Sequence, residues 1–118
     1  MPANNLTLNL ACGSVTFSFS PQAAQDLKAS LDLLIERLKE NTAKATPGGS
    51  SKPIPQRPVE YRYTGDVFLE VFCNPNIWPT PFAAKVLLTI RSTSVKLTTE
   101  AELTRVIEDV NQYLEQLG

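Results

Sequence analysis

Two stretches of this 118-residue chain decide its fold: residues 6–18 read LTLNLACGSVTFS, and residues 86–98 read VLLTIRSTSVKLT. They align without a gap, and in both an apolar side chain recurs at every second position around a short polar break. Alternation with period two is typical of half-buried strands, so each stretch predicts an antiparallel hairpin. An amphipathic helical pattern follows each hairpin. The sequence therefore predicts a hairpin–helix unit that occurs twice, with other structure between the two copies.

The first hairpin has a register that its apolar pattern supports. A two-residue turn at positions 12–13 pairs Leu10 with Val15 and Leu8 with Phe17, and it places the apolar side chains on one face. Because Cys before Gly is not a favoured turn pair, a four-residue loop with the same register is the alternative.

Both helices have start signals. Ser20 precedes Pro21, a typical cap followed by a residue that the first helical position tolerates. Thr99, with Glu102 three positions later, forms a capping box and predicts the start of the second helix. Apolar residues with helical spacing predict two buried stripes: Ala24, Leu27, Leu31, Leu34, Ile35 and Leu38, and then Leu103, Val106, Ile107, Val110, Tyr113, Leu114 and Leu117. The alternative use of these stripes is a homodimer through a short coiled coil, although each spans only about two heptads.

Between the two units, residues 41–58 contain four prolines, a Gly-Gly-Ser-Ser run and one aliphatic residue, Ile54. Ordering each residue costs about 1–2 kcal/mol of backbone entropy, whereas burying one Ile contributes at most about 3 kcal/mol. We therefore predict a flexible linker. The segment is basic, and the alternative is a strap that orders on a partner through Lys52 and Arg57.

Residues 59–72 predict a further hairpin, around a three-residue loop. This register places Glu60 opposite Glu70, an unfavourable like-charge pair. It also places Phe68 and Phe72 on the face opposite the other apolar side chains. We infer that this strand is either covered on both sides or contacts a partner.

Together these elements predict an α+β fold: one antiparallel sheet of about six strands, in three hairpins, with two amphipathic helices packed on one face. The chain length suits a single domain. Within it, we assign a hairpin and helix to residues 5–40, the linker to 41–58, and two hairpins and a helix to 59–118.

The composition argues against most catalytic chemistry. The chain has no histidine, which removes the usual general base and the commonest metal ligand. Two cysteines, Cys12 and Cys73, are too few for a metal site, and we expect no metal and no cofactor. The acids of the last helix, Asp109 among them, suit a solvated face. A net charge of −1 gives no general attraction to nucleic acid or to a membrane, and the absence of an export signal favours the cytoplasm.

One irregular stretch is a candidate binding site. Residues 73–82 read CNPNIWPTPF and contain the only tryptophan and three prolines. A stiff loop with a large aromatic side chain loses little entropy on contact with a partner. The candidate partner-binding residues are Ile77, Trp78, Pro79 and Phe82. The alternative is that the apolar members fold back and close the core.

These observations favour a non-catalytic protein–protein interaction module that serves as an accessory, assembly or regulatory subunit. The first alternative is a small-ligand-binding protein or enzyme with a pocket between sheet and helices near Trp78. A weaker alternative is RNA contact through Arg57, Arg62 and the tyrosines. It conflicts with strand alternation, which puts Arg62 on the opposite face from Tyr61 and Tyr63.

Overall fold

A computed structural model describes residues 5–44 and 56–117. In chain order the elements are β1 (Asn5–Leu10), β2 (Gly13–Ser18), α1 (Pro21–Lys44), β3 (Val59–Thr64), β4 (Phe68–Cys73), β5 (Lys85–Arg91), β6 (Lys96–Glu102) and α2 (Leu103–Leu117). The predicted α+β class is confirmed. The prediction of one continuous sheet is wrong: among the described residues β1 and β2 pair only with each other, and the remaining strands form a second antiparallel sheet in the order β3-β4-β5-β6.

The first hairpin keeps its predicted faces in a different register. Leu8 pairs with Val15 and Leu6 pairs with Phe17, around a turn at positions 11–12. The pairing is therefore shifted by two positions from the predicted one. Because strand side chains alternate with period two, a shift of two leaves every side chain on its predicted face.

A shift of the same size, in the opposite direction, removes the like-charge pair predicted for the second hairpin. Glu70 lies opposite Arg62 and not opposite Glu60, and Arg62 Nε donates a hydrogen bond to Glu70 Oε2 at 2.8 Å. The connecting loop includes Gly65, where a Cβ would collide with the side chain of Tyr63. The loop keeps its predicted length of three residues but lies one position further along the chain, at 65–67, and this replaces a repulsive cross-strand pair with an attractive one.

The start of α1 is as predicted, and its end is not. The Ser20 hydroxyl accepts a hydrogen bond from the Ala23 amide at 3.1 Å, and the Ser20 carbonyl accepts one from Ala24 at 3.0 Å. The helix continues to Lys44, so the first four residues of the predicted linker are helical. The region 45–55 lies outside the described residues.

The predicted start of α2 is wrong. Thr99 lies in β6, opposite Leu88, and the helix begins at Leu103. The Leu103 amide donates to the Ala84 carbonyl at 3.0 Å, which extends the β5–β6 ladder to the first residue of the helix. The cross-strand pairing of β6 therefore replaces the capping box, and the two hairpin–helix units differ at the junction between strand and helix.

Buried side chains from both helices and both sheets form one cluster. Its largest fully buried members are Phe19, Leu6, Leu8, Leu27, Leu31, Leu34, Leu38, Leu69, Leu88, Leu103, Val86 and Val106. Two tyrosine hydroxyls bridge separate elements across this cluster. Tyr61 donates to the Ala23 carbonyl at 3.0 Å, and Tyr113 donates to the Phe19 carbonyl. The predicted stripes, from Ala24 to Leu38 on α1 and from Leu103 to Leu114 on α2, thus face the same core as the inner side of the four-stranded sheet.

Asp109 joins the small sheet to α2, contrary to the prediction of a solvated acid. Asp109 is 5% exposed, and its carboxylate accepts hydrogen bonds from the Asn9 amide and from Asn9 Nδ2, both at 2.8 Å. The position is three residues after Val106 and four before Tyr113, so it lies on the buried side of the helix. A paired carboxylate there satisfies an amide on the edge of β1 that has no strand partner within the described part of the chain.

Candidate interaction surface

The four-stranded sheet has an inner face, which joins the core, and an outer face. Cross-strand pairing aligns the outer side chains in three rows across β3, β4, β5 and β6. The rows are Glu60, Phe72, Leu87 and Glu100; Arg62, Glu70, Thr89 and Thr98; and Thr64, Phe68, Arg91 and Lys96. We call these residues the outer face. Each is exposed or half-buried, so the rest of the described chain does not cover them.

Three members of the outer face are large and apolar. Phe72 lies directly opposite Leu87, which is 41% exposed, and Phe68 lies four positions before Phe72 on the same face of the same strand. The predicted placement of both phenylalanines on this face is confirmed. An antiparallel sheet with one solvated face normally has polar side chains there. Grouped, exposed apolar side chains are typical of surfaces that bind other molecules.

The charged side chains of the outer face make defined contacts. The Arg91 guanidinium carbon lies 4.5 Å from the centroid of the Phe68 ring, within cation–π range. Arg62 contacts Glu70 at 2.8 Å and Glu60 at 3.6 Å. The hydrogen bond to Glu70, followed by the charges of Glu70 and Glu60, raises the pKa of Arg62 above its ordinary value. The Arg62 charge is thus already neutralised within the face.

The loop from 74 to 84 joins β4 to β5 at the end of the sheet where Phe72 lies. It contains a short 3₁₀ helix, Pro75–Ile77, whose start is capped by Asn74 Oδ1 accepting from the Asn76 amide at 3.0 Å. The side chain of Asn76 also exchanges two hydrogen bonds, each 2.7 Å long, with the backbone of Gln56. These bonds hold the loop against the chain that leads into β3.

The four candidate residues in this loop divide into two groups. Ile77 is 65% exposed, Phe82 is 84% exposed, and Pro79 is exposed. Trp78 is half-buried and packs against the core. Trp78 thus contacts the core, as the alternative expects of the apolar members, whereas Ile77 and Phe82 present apolar surface to solvent.

Cys73, at the start of this segment, is buried and free. Burial raises the pKa of its thiol to about 11, against a smaller lowering by a hydrogen bond from Trp78. The thiol also donates to the Lys85 carbonyl at 3.4 Å. A protonated, enclosed thiol is a poor nucleophile. Cys12 is exposed and also free, so the two cysteines form no disulfide.

Of the two predicted linker contacts, only Arg57 lies in the described part of the chain. Its side chain is exposed, and its carbonyl accepts a hydrogen bond from Arg37 Nη1 at 2.7 Å. Lys52 lies outside the described residues, so the strap hypothesis stays a prediction.

The tyrosines needed for the RNA alternative do not share a surface with Arg62. Tyr61 is buried, and burial, followed by the nearby charge of Asp26, raises the pKa of its hydroxyl. Tyr63 is half-buried and makes an edge-to-face contact with Phe19. Both therefore belong to the inner side of the sheet, while Arg62 belongs to the outer face.

A polar cleft of about 540 Å³ lies between β1, β6 and the start of α2. Lys85 and Arg105 line it together with Glu100 and Glu102. No residue of the loop from 74 to 84 contributes to its lining. This cleft is thus separate from the pocket predicted near Trp78.

Within residues 5–44 and 56–117, no three Cys, Asp or Glu side chains are grouped so that they could hold a metal ion. In the same part of the chain, no helix has the length and apolar character needed to cross a membrane. Comparison of the chain with known proteins finds no matching family model, no matching curated protein and no matching solved structure.

Proposed function

We propose that this chain is a non-catalytic protein–protein interaction module, an accessory, assembly or regulatory subunit, and that it binds through the outer face of its four-stranded sheet. The observation that carries the proposal is the row in which half-buried Phe72 and exposed Leu87 lie side by side between two glutamates. An apolar centre with a charged rim is the usual anatomy of a protein interface.

The energetics favour this surface over the isolated tryptophan. Covering a half-exposed Leu or Phe contributes about 1 kcal/mol each at roughly 25 cal/mol per Å². Phe68, Phe72 and Leu87 stand on a paired, four-stranded scaffold, so little conformational entropy is lost when they are covered. Trp78, in contrast, already spends part of its surface on the core.

The loop after β4 extends the same end of the sheet. Ile77 and Phe82 are the two most exposed large apolar side chains among the described residues. The loop that carries them leaves the sheet just after Phe72 and returns to it just before Leu87. A partner that covers the outer face therefore has further apolar groups to contact at its edge.

The test is capture of binding proteins from a lysate of the source organism, with Leu87→Lys compared with Leu33→Lys. Leu33 is a matched control, because it is 46% exposed on α1 while Leu87 is 41% exposed on the sheet. Both variants should melt like the wild type, since neither side chain is buried. We expect proteins that bind wild type and Leu33→Lys and are lost with Leu87→Lys.

Two results contradict the proposal. If Leu33→Lys abolishes capture and Leu87→Lys preserves it, the binding surface lies on α1 and not on the sheet. Capture of nothing by the wild type, together with no self-association, would remove the interaction function. A Phe82→Ser variant, which changes an 84% exposed side chain, separates the loop from the sheet: it should weaken binding without abolishing it.

Small-ligand binding is the second candidate function, and the polar cleft beside β6 supports it. Its volume of about 540 Å³ falls within the roughly 300–1,000 Å³ of ligand pockets. Its lining has two cations and two carboxylates, a combination that suits a zwitterionic ligand. A metabolite that raises the melting temperature of the wild type, and not of Arg105→Ala, would support this function. Equal shifts in both proteins would contradict it.

A further inference from the structure

The charges of the outer face are segregated by row. The row that holds Phe72 and Leu87 has a glutamate at each end, Glu60 and Glu100. The row at the opposite end, around Phe68, has the basic residues, which are Arg91 and Lys96. The face is therefore acidic at one end of the strands, basic at the other, and apolar in both outer rows.

From this arrangement we propose, building on the interaction function above, that the outer face binds a second copy of this chain. An isologous dimer has a two-fold axis and must be self-complementary, because each residue at one position meets the residue at the symmetric position. A two-fold axis in the plane of the sheet and perpendicular to the strands exchanges the two outer rows. The acidic row of each copy then meets the basic row of the other.

The resulting contacts are chemically matched. Glu100 lies over Lys96 of the second copy, since both are on β6 at equal distances from the middle row. Phe72 lies over Phe68 of the second copy, since both are on β4. Leu87 packs on the stem of the second copy's Arg91. Two antiparallel sheets packed in this way keep their strands within about 30° of each other, the common angle for aligned sheets.

The middle row lies on the two-fold axis, where it meets its own copy. Arg62 and Glu70 therefore each face a like charge across the axis, but they are already paired with each other at 2.8 Å within each copy, so neutral ion pairs meet there. Thr89 and Thr98 complete the row with short, uncharged side chains. A partner of uniformly basic or acidic surface would meet like charge at one end of the face, whereas a second copy meets opposite charge at both.

The size of the face indicates weak association. Four strands about 4.8 Å apart and three rows about 7 Å apart give a footprint of roughly 400 Å² per copy. A standard stable interface buries about 800 Å² per partner. We therefore expect a dissociation constant on the order of 100 μM.

Sedimentation equilibrium of the full chain, from about 10 μM to 1 mM, tests the inference with a charge swap. We expect the wild type to change from one chain to two over this range, and Glu100→Lys or Lys96→Glu each to weaken dimerisation about tenfold. The double variant restores the complementary pair, so its dissociation constant should return to within about threefold of the wild type. Glu108→Lys is the matched control, since it makes the same charge change at an exposed position on α2 and should have no effect.

A wild type that stays monomeric to about 1 mM overturns this inference. Dimerisation that neither single variant weakens also overturns it, and would place the dimer contact on the helices or on a sheet edge. A double variant that dimerises no more tightly than the single variants overturns it as well. The interaction function fails separately: it survives a monomeric wild type if lysate capture still depends on Leu87. Both fail only if neither self-association nor Leu87-dependent capture occurs.

Discussion

Replacing Asp109 with alanine should destabilise the protein more than replacing any of the other acids of α2. Asp109 is 5% exposed, and its carboxylate accepts two hydrogen bonds of 2.8 Å from one residue, Asn9. The variant leaves the Asn9 amide and its Nδ2 group without an acceptor in a part-buried site. It also detaches β1 from α2, and thereby loosens the contact of the small sheet with the rest of the core.

The magnitude follows from these contacts. A hydrogen bond to a charged group contributes about 1.5–3 kcal/mol, and an unsatisfied buried donor costs about 1–3 kcal/mol. The two bonds share one carboxylate, so we expect a loss of about 3 kcal/mol rather than the sum. Asp109→Asn should lose about 1 kcal/mol, because an amide keeps the shape and can pair with a flipped Asn9 side chain but lacks the charge.

The assay is urea unfolding followed by circular dichroism, with Glu108→Ala as the control at an exposed neighbouring position. The Asn9→Ala variant completes a double-mutant cycle. It removes one of the two hydrogen bonds, so Asp109→Ala should cost about 1 kcal/mol less in that background than in the wild type. Equal losses for Asp109→Ala and Glu108→Ala, or a coupling of zero, would refute the reasoning.

Three further predictions concern the helix start, the thiols and the loop. Ser20→Ala should lower the free energy of unfolding by about 1 kcal/mol and Thr99→Ala by less than half of that, because of the two only Ser20 caps a helix. Equal losses of the two variants in urea unfolding would contradict this assignment. Ellman's reagent at about pH 8 should modify Cys12 in the native protein and Cys73 only after unfolding, since Cys73 is buried with a raised pKa; rapid reaction of both thiols would contradict it. Trp78→Ala should lower stability by about 2 kcal/mol, because the indole packs on the core, and an unchanged melting temperature would show that the side chain is free.

The sequence predicted which side chains face the core and did not predict the pairing that aligns them. Period-two alternation determines the face of a strand residue, and that face is unchanged when the register shifts by two. The charges on β3 and β4 would have indicated the register, because a loop at residues 65–67 places Arg62 opposite Glu70, whereas the predicted loop places Glu60 there. Counting cross-strand charges would therefore have selected the observed hairpin.

The boundary between β6 and α2 was beyond local signals. A capping box describes a preference of a few residues, and here Thr99 pairs with Leu88 across a ladder that continues to Leu103. Long-range strand pairing outweighs a cap worth about 1 kcal/mol. The separation of β1 and β2 into their own sheet is likewise a tertiary property, since hairpin patterns are the same in one sheet or two.

The candidate surface was only partly visible in the sequence. Alternation alone places Phe68 and Phe72 on the outer face. Leu87 could have been found in the same way, because it is an apolar residue at the position between Val86 and Leu88 where alternation calls for a polar one. The size of Trp78 favoured it as a binding residue, yet part of its surface packs against the core. An apolar residue out of phase on a strand was thus more informative than the largest side chain in a loop.

Site-specific photocrosslinking is the most direct test of the claim that the outer face is the binding surface. A photoreactive phenylalanine derivative is placed at position 87 and, as the control, at position 33 on α1, in the purified chain at about 100 μM and in lysate. The account predicts adducts from position 87, including one of two chains, and none from position 33. Adducts from position 33 alone, or from both positions equally, would contradict it.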